Sequence, residues 1–233
     1  MTITQLSLML VTAAGFAGPL FAQDLTQIPP PTPPLVAPVP ERADWTVTLQ
    51  YPPAPARVAP PTPGTSVQPA QRTAEVHSTK SGNLKRDRIT ATDGTFEDHW
   101  YAGSLYLWPY PGGKVYISDM NDAPSDPGNP EPSVASGFPG VAWLRLECYD
   151  KVESFEQRPC YHYVMQGVAM EAWIDVQTRF PLAYKCGDVV YQFKFNPPPA
   201  GPLALPPAYQ EALDSAQKAI DHRDQLAKDL QRK

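Results

Sequence analysis

The sequence predicts a mainly β fold: a curved antiparallel meander, open or a half-barrel, followed by one C-terminal α-helix. Three observations predict it. From residue 73 to 195, apolar and polar residues alternate singly in short runs. Turn pairs such as Ser81-Gly82, Asp93-Gly94 and Gly187-Asp188 punctuate those runs at close spacing. The one clear apolar stripe at helical spacing lies after residue 207. Repeated hairpins without intervening helices fit a meander better than alternating strand and helix.

The bulk composition bounds the rest. The chain has 233 residues, enough for one ordinary domain plus tails. Its 30 Pro sit beside 5 Trp, 11 Tyr and 8 Phe, so a real aromatic core must stand next to proline-rich segments. A formal net charge of -5 excludes a general nucleic-acid binder, which carries a basic stripe across much of its domain.

Residues 1–22 read as an export signal. Ile3 to Ala17 is mostly apolar with small residues, and Ala22 precedes the polar Gln23 and Asp24. No Lys or Arg precedes the run, and Leu20 fits the cleavage pattern less well. A buried helix or a membrane anchor is the alternative. Gly15, Gly18 and Pro19 break a run already short for a bilayer, which disfavours the anchor. No Cys stands at the cleavage point to carry a lipid, and no later stretch is long and apolar enough to span a membrane. The expected location is the periplasm or the medium, in soluble form after signal cleavage.

Residues 23–72 form a proline-rich linker containing a first strand at 45–51. "QIPPPTPPLVAPVPE" and "YPPAPARVAPPTPGTSVQP" favour extended polyproline II without a core of their own. They read as spacers, or as docking segments for a proline-recognising partner. In "DWTVTLQY", Trp45, Val47 and Leu49 alternate with Thr46 and Thr48, which marks a strand at the sheet's first edge.

The antiparallel domain covers residues 73–195. "TAEVHSTK" and "NLKRDRITA" are strands joined at Ser81-Gly82. Asp93-Gly94 is read as a two-residue hairpin turn, with positive φ at both positions. "TFEDHWY", "SLYLW" and "KVYISD" continue the meander. Residues 120–140 are a long loop. Asp119, Asp122, Asp126 and Glu131 invite a calcium reading there, but their spacing lacks the alternating register of a calcium loop, so a solvated loop is the better reading. A second reading of so long a loop in a compact domain is a lid over a cavity. "VAWLRLECY", "CYHYVMQG" and "AMEAWIDV" alternate as further strands. In "AWIDVQTRFPLAYKCGDVVYQFKF", Asp175 caps the turn at Thr178 to Pro181, Gly187-Asp188 is a Gly-first hairpin, and Val189, Tyr191, Phe193 and Phe195 share a face. Residues 196–207 are a proline-rich connector. Residues 208–233 are an amphipathic helix with Tyr209, Leu213, Ala216, Ile220, Ala227 and Leu230 on one stripe; its first half is expected on the sheet.

Three cysteines in an oxidising compartment suggest a bridge. Cys148 closes one predicted strand and Cys160 opens the next, so a Cys148–Cys160 disulfide is expected, with Cys186 left over. No CxxC or HxxxH spacing supports zinc, and no cofactor is expected.

Catalytic signatures are lacking: there is no G-x-S-x-G, no phosphate loop and no H-E-x-x-H. Glu97 and His99 share a strand face while Asp98 opposes them, which does not by itself make an acid–base pair. Lys85, Arg86 and Arg88 are candidates for contact with an anionic surface, or partners of acidic residues on neighbouring strands.

"AWIDVQTRFPLAY" carries Trp173, Asp175, Thr178 and Pro181 in a strand followed by a D-x-x-T-x-x-P turn. With the export signal and the antiparallel pattern, it resembles the periplasmic lipoprotein carriers and lipid-binding half-barrels, the LolA/LppX-like fold. The resemblance implies an unclosed barrel with helices over its concave side, holding acyl chains without chemistry. This chain departs from it in having no helices between its strands.

The expectation is therefore a non-enzymatic exported β protein binding an apolar or amphipathic ligand, lipid or lipoprotein-like, in a curved sheet. The lining candidates are Trp100, Leu105, Leu107, Trp143, Tyr163, Trp173, Tyr191 and Phe193. The alternative is a structural or protein-interaction module of the periplasm or envelope, with a filled core. A third reading, an exported hydrolase, requires a cleft joining His99 or His162 to a carboxylate.

Overall fold

Eleven antiparallel strands form one curved, unclosed sheet in this computed structural model, which describes residues 25–52, 72–119 and 138–231. The strands are β1 (Arg42–Gln50), β2 (Thr73–Ser81), β3 (Leu84–Ala91), β4 (Phe96–Ala102), β5 (Leu105–Tyr110), β6 (Lys114–Asp119), β7 (Tyr149–Phe155), β8 (Arg158–Met165), β9 (Met170–Asp175), β10 (Pro181–Cys186) and β11 (Val189–Asn196). One helix, α1 (Pro207–Gln231), follows. The predicted fold class is the observed one. The export signal and the second proline tract lie outside the described residues, as do Asp122, Asp126 and Glu131 of the calcium reading.

The strand order is β6-β5-β4-β3-β2-β1-β11-β10-β9-β8-β7. Two meanders thus grow outward from a central β1–β11 pair. This corrects the expectation that the first strand is an edge. Trp45 pairs with Phe195 on one side and Ser78 on the other, and Trp45 and Val47 are buried. The true edges are β6 and β7.

Several turns explain the register. Ser81 pairs with Leu84 and Cys186 with Val189, so Gly82 and Gly187 open two-residue turns at positive φ, as glycine allows. At Asp93-Gly94 the loop is one residue longer than read. Ala91 N–H donates to Thr95 O and Gly94 N–H to Ala91 O, and only Gly94 of the two has positive φ. That is a three-residue hairpin closed by a glycine bulge. The β7–β8 turn, Glu156-Gln157, has positive φ at both positions without a glycine.

Cross-strand partners share a face, which divides the sheet cleanly. One face carries Trp45, Ser78, Asp87, His99, Tyr106, Phe195, Tyr184, Ala172 and Tyr163; we call it the Trp45 face. The opposite one carries Arg86, Trp100, Leu107, His162, Trp173 and Lys185; it is the Trp100 face.

Each wing is packed on a different face. Over β7–β11 and β1, the Trp45 face is covered by Phe138, Val141 and Trp143 and by Val39, with Ile28, Leu35 and Val36 packed alongside. Phe138 is the plug: its ring meets Trp45 at 5.4 Å, Phe195 at 5.5 Å and Phe180 at 5.4 Å. The first proline tract is therefore not a bare spacer, since residues 28–39 contribute to the main core. Over β4–β6 the Trp100 face is covered by the connector and the helix. Leu203, Leu205, Tyr209, Leu213 and Ile220 pack on Trp100, Leu105 and Leu107. Helix α1 begins with Pro207, whose missing N–H costs nothing in a first turn. At about 1.5 Å per residue its length is about 37 Å, and its first half meets the sheet as expected.

Candidate functional site

The eight lining candidates do not line one concavity. Trp100, Leu105 and Leu107 lie beneath α1 on the Trp100 face and are buried. Tyr163, Phe193 and Trp143 belong to the core on the opposite face, where Tyr191 stacks on Tyr184 at 4.1 Å. Trp143 is not on a strand: residues 139–145 are turns that fold back over the sheet, with the Trp143 Nε1–H donating to Gly140 O at 2.8 Å. Trp173 lies apart from the other candidates, on the Trp100 face of β9, stacked between Phe155 and His162.

The disulfide is corrected outright: Cys148, Cys160 and Cys186 are all free thiols. "VAWLRLECY" is not a strand. The hairpin strand begins at Tyr149, and Cys148 ends a short 3-10 turn, Leu146–Cys148. Cys160 therefore pairs with Glu153, five residues beyond Cys148. Five residues of strand span about 16 Å, whereas a disulfide needs Cα atoms within about 7 Å. Burial pushes the Cys160 thiol up to about 11, so it is an inert core group. Cys186 is exposed beside the Gly187 turn.

Two of the three basic candidates, Lys85 and Arg88, are ion-paired within the chain, and Arg86 lies over the Trp100 ring at 5.9 Å. Lys85 is on the Trp45 face, opposite Arg86 and Arg88, and its Nζ lies 2.9 Å from Asp87. Arg88 forks onto Asp98 with two 2.9 Å bonds and covers the Phe96 ring at 4.3 Å. This bidentate pair holds the Asp98 carboxyl below its ordinary range, against the opposing effect of burial.

Two sets of residues remain with chemistry to consider. The first surrounds His162, which is 6% exposed on β8. Its Nδ1 faces Asp150 at 3.2 Å and its Nε2 faces Glu171 at 3.3 Å. Trp173 stacks on the imidazole at 5.1 Å, Phe155 stacks on Trp173, and the Trp173 Nε1–H donates to Glu153 at 2.6 Å. Lys185 bonds Glu171 at 2.8 Å and, with burial opposing it, holds that carboxyl below its ordinary range. The carboxylates lie on opposite sides of the ring rather than converging on a point. Among the described residues no group of His, Cys, Asp and Glu has a metal-binding arrangement. The arrangement clamps β7 to β8 and β9, with both ring nitrogens facing carboxylates and the indole stacked on one ring face. His99 is likewise engaged, by Glu97 at 3.3 Å and by the Tyr106 hydroxyl.

The second set is an aromatic ladder that reading the sequence missed. On the Trp45 face of β4–β6, Tyr101 stacks on Tyr106 at 4.9 Å, and Tyr106 on Trp108 at 4.7 Å. Tyr116 follows Trp108 at 5.0 Å and Tyr110 lies 5.5 Å from Tyr116. The inner end is buried, with Lys85 over the Tyr101 ring at 4.5 Å. The outer end is open: Tyr110 is 50% and Tyr116 53% exposed. The signal was present in "LYLWPY", where Tyr106, Trp108 and Tyr110 alternate with Leu105, Leu107 and Pro109. Both faces of β5 are apolar, so alternation there does not set one face apart from the other. Large rings exposed together at a sheet edge mark a contact surface more often than scattered apolar residues do.

An open pocket of about 220 Å³, lined by Arg72, Ile89, Phe96 and Glu97 among others, lies at the end of β3 and β4. Among the described residues no helix is long and apolar enough to cross a membrane. The chain matches no protein-family model and no curated protein sequence.

Proposed function

We propose that this chain is a non-enzymatic interaction module of the periplasm or envelope, which meets a protein partner through the aromatic ladder of β4–β6. The observation that carries the reading is the packing of the two wings. Each is closed on one face by the chain's own segments, so the residues suited to an acyl chain already contact one another. Trp45, Tyr163, Leu107 and Ile174 are fully buried in those contacts. Tyr and Trp supply rigid, amphipathic contact area at little entropic cost, and are enriched where proteins meet. Export rests on the signal read in residues 1–22. The curved, unclosed sheet is what favours the second reading, a carrier of lipid or lipoprotein resembling the LolA/LppX-like half-barrels.

Native mass spectrometry of residues 23–233 purified from a periplasm, followed by organic extraction, separates the two. A bare polypeptide mass is expected. A stoichiometric lipid would overturn the module reading in favour of the carrier.

A further inference from the structure

We infer that the His162 cluster is a proton-operated latch on the edge strand β7. The ring ties β7 to β9 in full only as the imidazolium, and raising the pH loosens β7. This latch is separate from the aromatic ladder and independent of the interaction-module reading.

Donor count carries the first step. His162 Nδ1 faces Asp150 of β7 at 3.2 Å, and Nε2 faces Glu171 of β9 at 3.3 Å. An ionised carboxylate only accepts, so a ring bonded at both nitrogens needs two N–H groups, and only the imidazolium has two. A neutral ring turns a lone pair toward one of the carboxylates. The bond it keeps falls from charge-assisted to neutral. The tie from β7 to β9 is therefore weakened whichever nitrogen retains its proton. The backbone serves the same contact. The β7–β8 register slips between Tyr149 and Lys151, so Asp150 is the extra residue of a bulge. Bulges re-aim side chains, and here Lys151 opposes His162 while Asp150 still reaches Nδ1. Strand β7 ends the sheet and pairs on one side only, with β8, so it is among the first strands to open.

Charge balance carries the second step. Around the ring stand Asp150, Lys151 and Glu153 of β7, Glu171 of β9 and Lys185 of β10. Three carboxylates thus face two ammonium groups, and the imidazolium makes the set neutral. Lys185 bonds Glu171 at 2.8 Å and Lys151 bonds Glu153 at 3.0 Å. Asp150, 4.0 Å from Lys151, depends most on the ring. The ring is 6% exposed, so water screens the lost charge poorly. Lys185, against burial, holds the Glu171 carboxyl below its ordinary range. Against burial, bonds from Trp173 and Lys151 do the same for Glu153. Both therefore remain ionised above about pH 5.

The test is amide hydrogen exchange of the full chain from about pH 5 to about pH 9, corrected for intrinsic rates, with β3 of the other wing as the reference. Protection of the β7 amides relative to β3 is expected to fall about 10-fold toward the alkaline end. The fall is absent in His162→Phe, which keeps a ring against Trp173, and smaller in Asp150→Asn, whose side chain is half exposed. NMR of the labelled His162 ring is expected to show two N–H protons at the acidic end and one at the alkaline end. Relative protection of β7 that does not change with pH overturns the latch. So does an equal fall in His162→Phe, or one ring N–H throughout. Should His162→Phe fail to fold, Asp150→Asn and the ring N–H count decide, and an equal fall in Asp150→Asn then overturns the latch. None of these outcomes bears on the module reading, which stands or falls with the lipid extraction.

Discussion

Gly140 gives the sharpest test of how residues 138–145 close the main core. It has φ +75°, and a Cβ added there would lie 2.3 to 2.5 Å from three ring atoms of Tyr184. That ring cannot retreat freely, because it stacks on Tyr191 at 4.1 Å with planes 8° apart. Gly140→Ala therefore carries two costs. The left-handed backbone costs a non-glycine residue about 1 kcal/mol, and overpacking adds about 2 kcal/mol, giving about 3 kcal/mol in all. For a domain of this size the loss lowers Tm by about 6–12 °C. Urea and thermal unfolding measure it directly. The same substitution in a Tyr184→Leu background should cost only the backbone part, about 1 kcal/mol, because the ring is gone. A loss under 1 kcal/mol in wild type, or an equal loss in both backgrounds, would refute the close packing of this loop on β10.

Other expectations follow from the same geometry. Asp175 is buried, accepts from Gln177 N–H, Thr178 N–H and Thr178 Oγ1–H, and pairs with Arg158 at 2.7 Å. Asp175→Ala should cost about 3 kcal/mol in chemical unfolding, while Asp175→Asn keeps the turn bonds and costs clearly less; equal losses would remove the turn from the explanation. All three cysteines should be recovered as thiols when the unreduced protein is unfolded and alkylated, with Cys186 alkylated first and Cys160 last in the native state; a Cys148–Cys160 bridge found by peptide mapping would contradict the register of β7 and β8. Because Arg88 depresses the folded pKa of Asp98, that pair stabilises the fold above the ordinary carboxylate range, and the contribution is lost as pH falls through the depressed value. Both groups are partly exposed, so the effect is about 0.5–1 kcal/mol, and Arg88→Ala should flatten stability against pH as the pH falls through and below the ordinary carboxylate range. An unchanged slope would show the pair to be energetically silent.

Much of the fold was legible because local chemistry determines it. Glycine at Gly82 and Gly187 fixes two hairpin registers, "KVYISD" spans β6, and the stripe of Tyr209, Leu213 and Ile220 marks the helix face that packs. Asp175 was recognisable as a turn cap from its spacing to Thr178. What escaped was non-local or concealed by composition. The β1–β11 pair joins residues about 150 positions apart in sequence, as Asn196 Nδ2–H donating to Asp44 over a separation of 152 shows, and no local pattern encodes it. Strand β7, "YDKVESF", is an edge whose charges are paired with His162 and Lys151, so it reads as loop. "VAWLRLECY" alternates like a strand, yet Val141 and Trp143 reach the core from turns. The proline tract at 28–39 looks coreless because its few Ile, Leu and Val residues find their partners on the sheet. The ladder was concealed for a further reason: both faces of β5 are apolar, and alternation alone does not say which face a helix will cover.

The most direct test of this two-faced arrangement is hydroxyl-radical footprinting of the native full chain, read residue by residue on its Trp and Tyr side chains. The account predicts fast oxidation at Tyr110 and Tyr116, with Trp45, Trp100 and Tyr163 protected until the protein unfolds. Fast labelling of Trp100 would mean that α1 does not close its wing. Protection of Tyr110 and Tyr116 in the isolated chain would mean that the ladder is not an open contact surface, and would contradict the account.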